Sequence, residues 1–532
     1  MYKAIGTYFG KGGLSSGNPS ASTTFMAPAG ENFKIIPQLL TPANALRMNN
    51  YLIGADGEIF KRQGLEKIFE VAGTAPVTML ESFTDDIIMF GYGTTVSAYK
   101  FSTDAITVVK NDFVTNDPFT GARYGDYFFV GNAGNKLGRV DLALTYTEIA
   151  AAPKASVVVA IGARLFANDV DLEGAVRYPA IDDGTNPPFT DWTVGTLADE
   201  GGLVSYRAVG PINSIVPLGQ YITVFGEKGK FAFYINVIDA AAGISKSDVF
   251  QMSRLDFGGA RGAIVSAAGL FYANEAGLWQ MTALGQQNIP FSDQESRASI
   301  LLGDKYFDDI DLSDASIVYD PVQENIYLAC KNQSQKNNFV VVYNIRMKAF
   351  SRITGWNVNR FMSIDKVIYF GSSIATKVYK AFSGYSDDGA SIGTEYLQEL
   401  KLGDFETRQE LQSIYIQGYL STSTTVYVKF DIYDVDGRLI TDKLRLEWTT
   451  QYNSNSLDGY SGAGYSGSAY GGDADAAGMI ESFDGFKPRI NNFQRIRIHI
   501  TNQDKLPHIL NWVKLGAKIK KAIRRRKMTQ LS

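Results

Sequence analysis

Two histidines and one cysteine are the side chains best suited to metal binding or nucleophilic catalysis. His499 lies in a strictly alternating run, His508 follows near the C-terminus, and Cys330 sits inside an apolar run. This set cannot supply a zinc cluster, no H-E-x-x-H occurs, and a Ser-His-Asp triad on either histidine has no supporting strand–turn–helix motif. We therefore expect no metal, no cofactor and no enzyme, with Cys330 a buried thiol of a protein folded in a reducing compartment.

Glycine-rich and acidic loops could in principle bind phosphate or calcium. Gly10–Gly13 and Gly258–Gly262 lack the preceding strand and following helix of a phosphate cradle, which indicates turns. Asp431, Asp434 and Asp436 do not have EF-hand spacing and no glutamate closes the loop, so we predict a β-turn at 434–437.

Paired carboxylates could imitate the two acids of a glycosidase. Their surroundings are hydrophilic and loop-like, whereas an acid of raised pKa needs an apolar pocket, so a glycosidase is disfavoured. The pairs are Asp182-Asp183, Asp308-Asp309 and Asp387-Asp388.

A basic C-terminal stretch is the strongest charge signal in the chain. It is either a solvated tail or a contact with DNA phosphates or an acidic partner, and phosphate contacts would make binding strongly salt-dependent. No aromatic residues are interleaved, so base stacking is not implied. The candidate contact residues are Lys514, Lys518, Lys520, Lys521, Arg524, Arg525, Arg526 and Lys527.

Bulk composition indicates a large folded β protein. The chain has 532 residues, 29 Tyr, 32 Phe and 52 Gly, a combination typical of aromatic strands joined by glycine turns. The net charge of −4 suggests no general affinity for nucleic acid. The N-terminus has no apolar signal-peptide core, and the longest apolar runs are far too short to span a bilayer. We expect folding in a cytoplasm and no stable membrane insertion.

The stretch from Tyr319 to Val358 contains the clearest structural unit. Asp320-Pro321 predicts a turn. Ile326–Cys330 and Phe339–Tyr343 predict strands on either side of a polar loop, and a third strand begins at Ala349. Strands of this number in about 40 residues match the size of one propeller blade.

Hairpins of the same kind recur along the chain with almost no helical pattern between them. They predict a β-propeller of six or seven degenerate blades, against the alternative of separate β-sandwiches. The hairpins besides the one above begin near Ile87, Tyr124, Val157, Tyr221, Gly269 and Val367. One short helix is predicted at Asp293–Leu302.

The remaining segments have a different character. Residues 1–35 form an extended arm that is ordered only when it lies along another surface, and 36–392 form the propeller. Long alternating strands in 393–513 predict a β-sandwich or jelly-roll domain. Residues 451–485 are a Tyr/Gly-rich loop that is disordered or held by a partner, and 514–532 are the basic tail.

The pattern resembles the tail nozzle, or packaged-DNA stabilisation (head-to-tail connector), proteins of short-tailed bacteriophages. The resemblance covers about residues 36–390 and rests on order and pattern. It is carried by the arm and basic-Gly turn Lys61-Arg62-Gln63-Gly64, the loop AIDDGTNPPFTDW at Ala180–Trp192, the strand and turn Tyr221–Glu227, and the D-P…IYLA…NFVVVYN…W blade at Tyr319–Trp356.

The resemblance implies a structural protein of the virion tail. It implies a homo-oligomeric ring of six copies below the portal and its adaptor protein, with viral DNA in the lumen and tail fibre or spike proteins docked outside. The alternative hypothesis is a carbohydrate-binding or glycoside-active β-propeller protein. That alternative predicts a pocket at the propeller mouth lined by Trp, Tyr and paired acids.

Overall fold

The computed structural model shows an all-β chain, as the sequence predicts. Apart from strands, the described residues contain two single-turn 3-10 helices, Phe101–Thr103 and Arg207–Val209. The structure describes residues 20–25, 45–54, 57–162, 164–181, 189–195, 200–219, 221–235, 247–251, 263–274, 277–281, 295–297, 310–332, 334–401, 408–421, 424–434, 437–449, 480–488, 490–493 and 495–520.

The chain divides into two compact units, and neither is a continuous segment. The first comprises residues 1–65, 346–353 and 382–532, and the second comprises 66–345 and 354–381. The boundaries predicted from the sequence are residues 36 and 392. The chain enters the second unit later, at residue 66, and leaves it earlier, at residue 381. The N-terminal strands of the first unit are β1 (Ser20–Phe25), β2 (Arg47–Asn49), β3 (Tyr51–Ile53) and β4 (Ile59–Lys61).

The second unit contains seven sheets within its described residues, and five of them have four consecutive strands. The first sheet is β6 (Val77–Thr84), β7 (Ile87–Tyr92), β8 (Thr95–Lys100) and β9 (Ala105–Lys110). The second is β10 (Thr120–Tyr124), β11 (Tyr127–Asn132), β12 (Asn135–Val140) and β13 (Tyr146–Glu148). The third is β14 (Val158–Ile161), β15 (Arg164–Asn168), β16 (Ala175–Tyr178) and β17 (Gly202–Ser205).

The next two sheets repeat this order. The fourth is β18 (Ile212–Leu218), β19 (Tyr221–Gly226), β20 (Lys230–Ile235) and β21 (Ser247–Gln251). The fifth is β22 (Ala263–Ser266), β23 (Gly269–Asn274), β24 (Gly277–Met281) and β25 (Glu295–Arg297). Because β25 pairs with β24, the helix predicted at Asp293–Leu302 is wrong at Glu295–Arg297; its other residues lie outside the described ones.

The last two sheets differ from the first five in having fewer consecutive strands in this unit. The sixth contains β26 (Asp311–Asp320), β27 (Asn325–Lys331) and β28 (Phe339–Asn344). The seventh contains β30 (Val358–Ile364), β31 (Val367–Ser372), β32 (Lys377–Ala381) and, as its fourth strand, β5 (Leu65–Glu70). Lys377 Nζ and Glu70 Oε1, 3.0 Å apart, join these last two strands.

Local sequence explains why these hairpins form where they were predicted. The Asp320 Oδ1 atom accepts hydrogen bonds from the backbone N–H groups of Val322 (2.8 Å) and Gln323 (3.2 Å), which closes the predicted turn between β26 and β27. All six residues of β28 are buried, as are the first six of β27. Cys330 is one of them, which confirms the buried thiol.

The first strand of each sheet in the second unit contacts the first strand of the next. The contacts run from β6 through β10, β14, β18, β22 and β26 to β30, and β30 in turn contacts β6. Apolar side chains of neighbouring sheets pack together between them; one such cluster joins Met79 and Met89 of the first sheet to Phe128 and Val130 of the second.

The first unit is built from two sheets that share one core. Its later strands are β29 (Ala349–Thr354), β33 (Ser386–Asp387), β34 (Ala390–Ser391), β35 (Thr394–Lys401), β36 (Arg408–Leu420), β37 (Thr425–Tyr433), β38 (Leu439–Thr449), β39 (Ile480–Phe486), β40 (Ile490–Phe493), β41 (Arg495–Asn502) and β42 (His508–Lys520).

The two sheets have complementary apolar faces. Within this unit, one has the order β29-β2-β35-β41-β37-β38, which is part of a nine-stranded order that begins at β26. The other has the order β3-β4-β42-β36-β39, with β1 and β40 attached. Strand β41 alternates between half-buried and buried residues along its length, as its strict sequence alternation predicts. Ile496, Ile498 and Ile500 of that strand share a core with Ile414 and Ile416 of the opposite sheet.

Three predicted segments take part in the second of these sheets. In the predicted arm, Ser20–Phe25 pair antiparallel with β42 of the same chain, so this part of the arm is ordered by its own chain. Residues 480–485, predicted to be loop, belong to β39 and pair with β36. Residues 514–520, predicted to be tail, belong to β42, which is therefore longer than the alternating pattern indicated. The rest of the Tyr/Gly-rich loop, 451–479, lies outside the described residues.

Candidate functional site

A cavity of about 510 Å³ lies among the first strands of the second unit. Strands of all seven sheets line it, and many of the lining side chains are small, which leaves the space open. Ser156, Ser214 and Ser316 contribute hydroxyl groups to its wall. Four charged residues also line the cavity: Glu81, Asp117, Arg123 and Arg360.

Glu81 is the acid of the cavity wall. It lies on β6, whose residues Val77, Met79, Leu80 and Phe83 are buried, while Glu81 itself is exposed to the cavity. Desolvation by the protein around the cavity raises the pKa of Glu81 to about 8. The positive charge of Arg360 acts in the opposite direction and is the smaller effect. The carboxyl is therefore largely protonated at neutral pH.

Arg360 is held in place by backbone carbonyl groups. Its Nε donates to the Thr78 carbonyl oxygen at 3.1 Å, and its Nη1 donates to the Asn359 carbonyl oxygen at 2.9 Å. The Asn359 side-chain amide in turn donates to the Val77 carbonyl oxygen at 2.7 Å. Side chains of β30 thus bind the backbone of β6, and the guanidinium has a defined position in the cavity wall.

A second polar cluster lies inside the first unit. The Lys61 side chain is fully buried, and its ammonium donates to Asn502 Oδ1 at 2.8 Å and to the backbone carbonyl oxygen of Asp504. Burial lowers the pKa of Lys61 to about 8. The predicted basic turn that begins at Lys61 is therefore part of the interior, and this cluster stabilises the fold.

Tyr51 and His508 extend this cluster. The Tyr51 hydroxyl lies 2.7 Å from His508 Nε2 and 3.2 Å from Thr394 Oγ1. Burial, with the nearby charge of Lys61, lowers the pKa of His508 to about 3, so its imidazole is neutral. A buried neutral histidine bound by a tyrosine is a structural element of the interior of the first unit.

The exposed edge of the first unit is strand β38. It ends its sheet, and most of its residues from Leu439 to Glu447 are exposed or half-buried. Leu439 and Ile440 are 50% and 41% exposed, and Tyr427 of the adjacent β37 is 51% exposed. An edge strand of this length presents backbone donors and acceptors beside apolar side chains, which is the usual composition of a pairing surface.

The predicted contact residues are divided by the structure. Lys514, Lys518 and Lys520 lie on β42, where Lys518 pairs with Ser20 of β1 and Glu410 of β36. The other five lie outside the described residues: Lys521, Arg524, Arg525, Arg526 and Lys527. The structure thus brings three of the eight onto one strand, and the contact itself remains a prediction.

The other histidine and two of the acidic positions from the sequence analysis have partners within the chain. His499 Nε2 lies 3.2 Å from Glu395 Oε1. Asp387 pairs with a buried arginine. Gly437 N–H donates to the Asp434 carbonyl oxygen at 3.2 Å, which confirms the predicted turn at 434–437. Outside the described residues lie Asp182-Asp183, Asp308-Asp309, Gly10–Gly13 and Gly258–Gly262.

In the described part of the chain, no group of three or more His, Cys, Asp or Glu side chains is arranged to hold a metal ion. No helix of the described ranges is long and apolar enough to cross a membrane.

Glu81 and Arg360 are not recognisable as site residues from the sequence. Each lies in an ordinary alternating strand, and a charged residue in such a strand normally faces solvent. A charge inside the first strand of a sheet was the available signal, because the first strands of the seven sheets line the cavity. Neither residue is part of a recognisable sequence motif.

Comparisons with known proteins find distant likeness to β-propeller domains. The extracellular domain of the one component system BT4673 from B. thetaiotaomicron is 12% identical, with a TM-score of 0.44, over 62% of this chain and 41% of that one. The WD40 β-propeller domain of Doa1 is 11% identical, with a TM-score of 0.41, over 60% of this chain and 96% of that one. No family model matches the chain, and no curated protein matches it in sequence.

Proposed function

We propose that the chain is a structural virion protein that forms the nozzle, or distal conduit, of a short phage tail. In this proposal the seven sheets of the second unit are the blades of a β-propeller, and the two sheets of the first unit form a β-sandwich. Copies of the chain form a ring, most simply of six, that channels and retains the genome. The portal adaptor protein binds above, and tail fibres or spikes bind outside.

The architecture supports this proposal at the residues that carry the family resemblance. The stretch Tyr319–Trp356 forms β26 to β29, with the turn and strands in the predicted order. Tyr221–Gly226 forms β19, a central strand of its sheet. Lys61 and Arg62 of the basic turn are buried and tie together distant parts of the first unit.

The exposed edge of β38 is the main observation that supports assembly of copies into a ring. Leu439, Ile440 and Tyr427 place apolar surface beside β38, and among the described strands only β37 pairs with β38. A neighbouring copy that covers this edge would bury the apolar side chains and satisfy the backbone groups. Contacts of one surface with a different surface on the next copy generate rings when the rotation closes.

The test is assembly of the purified full-length chain, alone and with the portal adaptor, measured by light scattering on a sizing column. We expect rings for the wild type and loss of rings for the double substitution Leu439→Lys and Ile440→Lys. Val322→Lys is the matched control, since Val322 is 68% exposed on the second unit. A wild type that stays monomeric with the adaptor, or rings that tolerate both lysines, would contradict the proposal.

The carbohydrate alternative gains no support from the cavity. That hypothesis requires Trp, Tyr and paired acids at the mouth, whereas the described residues that line the cavity include Phe119 and Phe361 but neither Trp nor Tyr. Glu81 and Asp117 are its acids; Glu81 lies on β6 and Asp117 in the loop that precedes β10. A glycan array with the full-length chain tests the alternative directly, and reproducible binding would restore it.

A further inference from the structure

We infer that the cavity among the first strands of the second unit is a binding site for a small oxyanion of sulfate or phosphate size, held by the Arg360 guanidinium and the Glu81 carboxyl group. The site is independent of tail assembly, because every residue that forms it belongs to one unit of one chain.

The geometry provides one fixed cationic donor. Two backbone carbonyl oxygens hold the Arg360 guanidinium in the cavity wall, one through Nε and one through Nη1. Such anchoring removes much of the entropy that binding would otherwise cost, and charge-assisted hydrogen bonds to an oxyanion are stronger than neutral ones. Serine hydroxyls from several strands supply further polar groups around the same space.

The charges around the cavity favour an anion at neutral pH. Asp117 Oδ2 accepts a hydrogen bond from Thr115 Oγ1 at 2.8 Å, and the Asp117 backbone carbonyl oxygen accepts one from Asn132. Arg123 lies on β10 and is bound through Nε to the Gly125 carbonyl oxygen at 3.4 Å. With Glu81 protonated, the two arginines outnumber the one carboxylate, and the Glu81 hydroxyl is a donor for the anion.

The same arrangement makes binding depend on pH. The pKa of Glu81 is about 8, so the carboxyl loses its proton as pH rises through that value. It then stops donating a hydrogen bond and repels an anion. We expect affinity to fall by up to about tenfold for each pH unit above 8, because one proton is taken up with each anion bound.

Isothermal titration calorimetry of the full-length protein with sodium sulfate tests the site. Sulfate keeps its charge between about pH 6 and 10, so any pH dependence belongs to the protein. We expect saturable binding near pH 7 that is at least about tenfold weaker at pH 9.5. Inorganic phosphate, titrated near pH 7, should bind as well. Absence of saturable binding of both anions would overturn the inference.

Substitutions separate the role of Arg360, which donates to the anion, from that of Glu81, which makes binding depend on pH. Glu81→Gln keeps a neutral donor at all pH values, so we expect retained affinity and a flat pH profile. Arg360→Gln should weaken binding at least about tenfold, while Arg360→Lys, which keeps the charge, should bind at an intermediate level. Arg139→Gln is the charge-matched control, since Arg139 stacks on Tyr127 outside the cavity lining. Unchanged affinity in Arg360→Gln, or an unchanged pH profile in Glu81→Gln, would contradict the site.

Discussion

Arg62 and Asp387 are 325 positions apart in the chain and form a two-point ion pair inside the first unit. Arg62 Nη1 donates to Asp387 Oδ1 at 2.8 Å, and Nη2 donates to Oδ2 at 2.5 Å. The Arg62 Nε donates to Asn50 Oδ1 at 2.8 Å, and the whole side chain is buried. One arginine therefore joins two segments of the first unit: the one that ends just before residue 66 and the one that begins just after residue 381.

Loss of this pair should destabilise the first unit strongly. Arg62→Met removes the two-point ion pair of the largely buried Asp387 carboxylate, and we expect a loss of about 3 kcal/mol in the free energy of unfolding. Arg62→Lys keeps the charge but not the two-point geometry, so it should lose about 1–2 kcal/mol. Denaturant titration measures both.

The exposed pair Lys67–Glu70 provides the control for Arg62. Lys67→Met removes an ion pair whose side chains are 38% and 41% exposed, and it should change stability by at most about 0.5 kcal/mol. If Arg62→Met and Lys67→Met changed the free energy of unfolding equally, the buried pair would stabilise the fold no more than the exposed pair, which would contradict the prediction.

Gly64 allows the chain to pass close to the backbone of Ser386. A Cβ atom at this position would lie 1.9 Å from the Ser386 carbonyl oxygen, and a backbone atom cannot move aside cheaply. We expect Gly64→Ala to destabilise the first unit by more than about 2 kcal/mol. Gly393→Ala is the matched control, because its Cβ would meet no atom within 4 Å. Thermal unfolding of both variants decides the point, and similar melting temperatures would refute the close approach.

His508 should contribute to acid sensitivity. Its pKa in the folded protein is about 3, below the ordinary 6.5, so the unfolded chain takes up the proton first as pH falls. Stability is unaffected above about pH 6.5 and falls by up to about 1.4 kcal/mol per pH unit between there and pH 3. His508→Gln should have a shallower acid slope than the wild type in denaturant titrations at pH 4 to 7. Identical slopes for the wild type and His508→Gln would contradict this assignment.

The C-terminal cations are best tested by substitution. Deleting 518–527 would remove the end of β42, where Lys518 pairs with two strands. Changing Arg524, Arg525, Arg526 and Lys527 to Gln leaves that strand intact. If the tail meets DNA or an acidic adaptor surface, we expect weaker genome retention by particles and a smaller salt dependence of binding.

A matched set of surface cations controls for net charge. Lys228, Lys336, Lys348 and Lys366 are exposed and lie elsewhere on the chain, so their change to Gln should leave genome retention intact. Equal retention for the wild type and for both variant sets would mean that the tail is a solvated segment.

The hairpins could be predicted from sequence because their signal is local. Composition alone predicts two adjacent strands at Ile326–Cys330 and Phe339–Tyr343. In the structure they pair as β27 and β28. The outer strands gave no such signal: β9 is exposed at Ala105, Ile106, Thr107 and Val108, so it lacks a buried face.

Long-range pairing could not be predicted in the same way. Asn49 pairs in parallel with Arg352, and β5 completes a sheet whose other strands begin at Val358. Nothing in the local periodicity of either segment identifies its partner. The candidate cavity depends on the same long-range order, because Glu81 and Arg360 meet only when the first and last sheets of the second unit lie side by side.

Electron microscopy of the full-length chain mixed with its portal adaptor tests the central claim most directly, since rotational symmetry is visible at low resolution. The proposal predicts rings with six-fold symmetry bound to the adaptor on one side. Single copies in every image, with no ring in the presence of the adaptor, would contradict it.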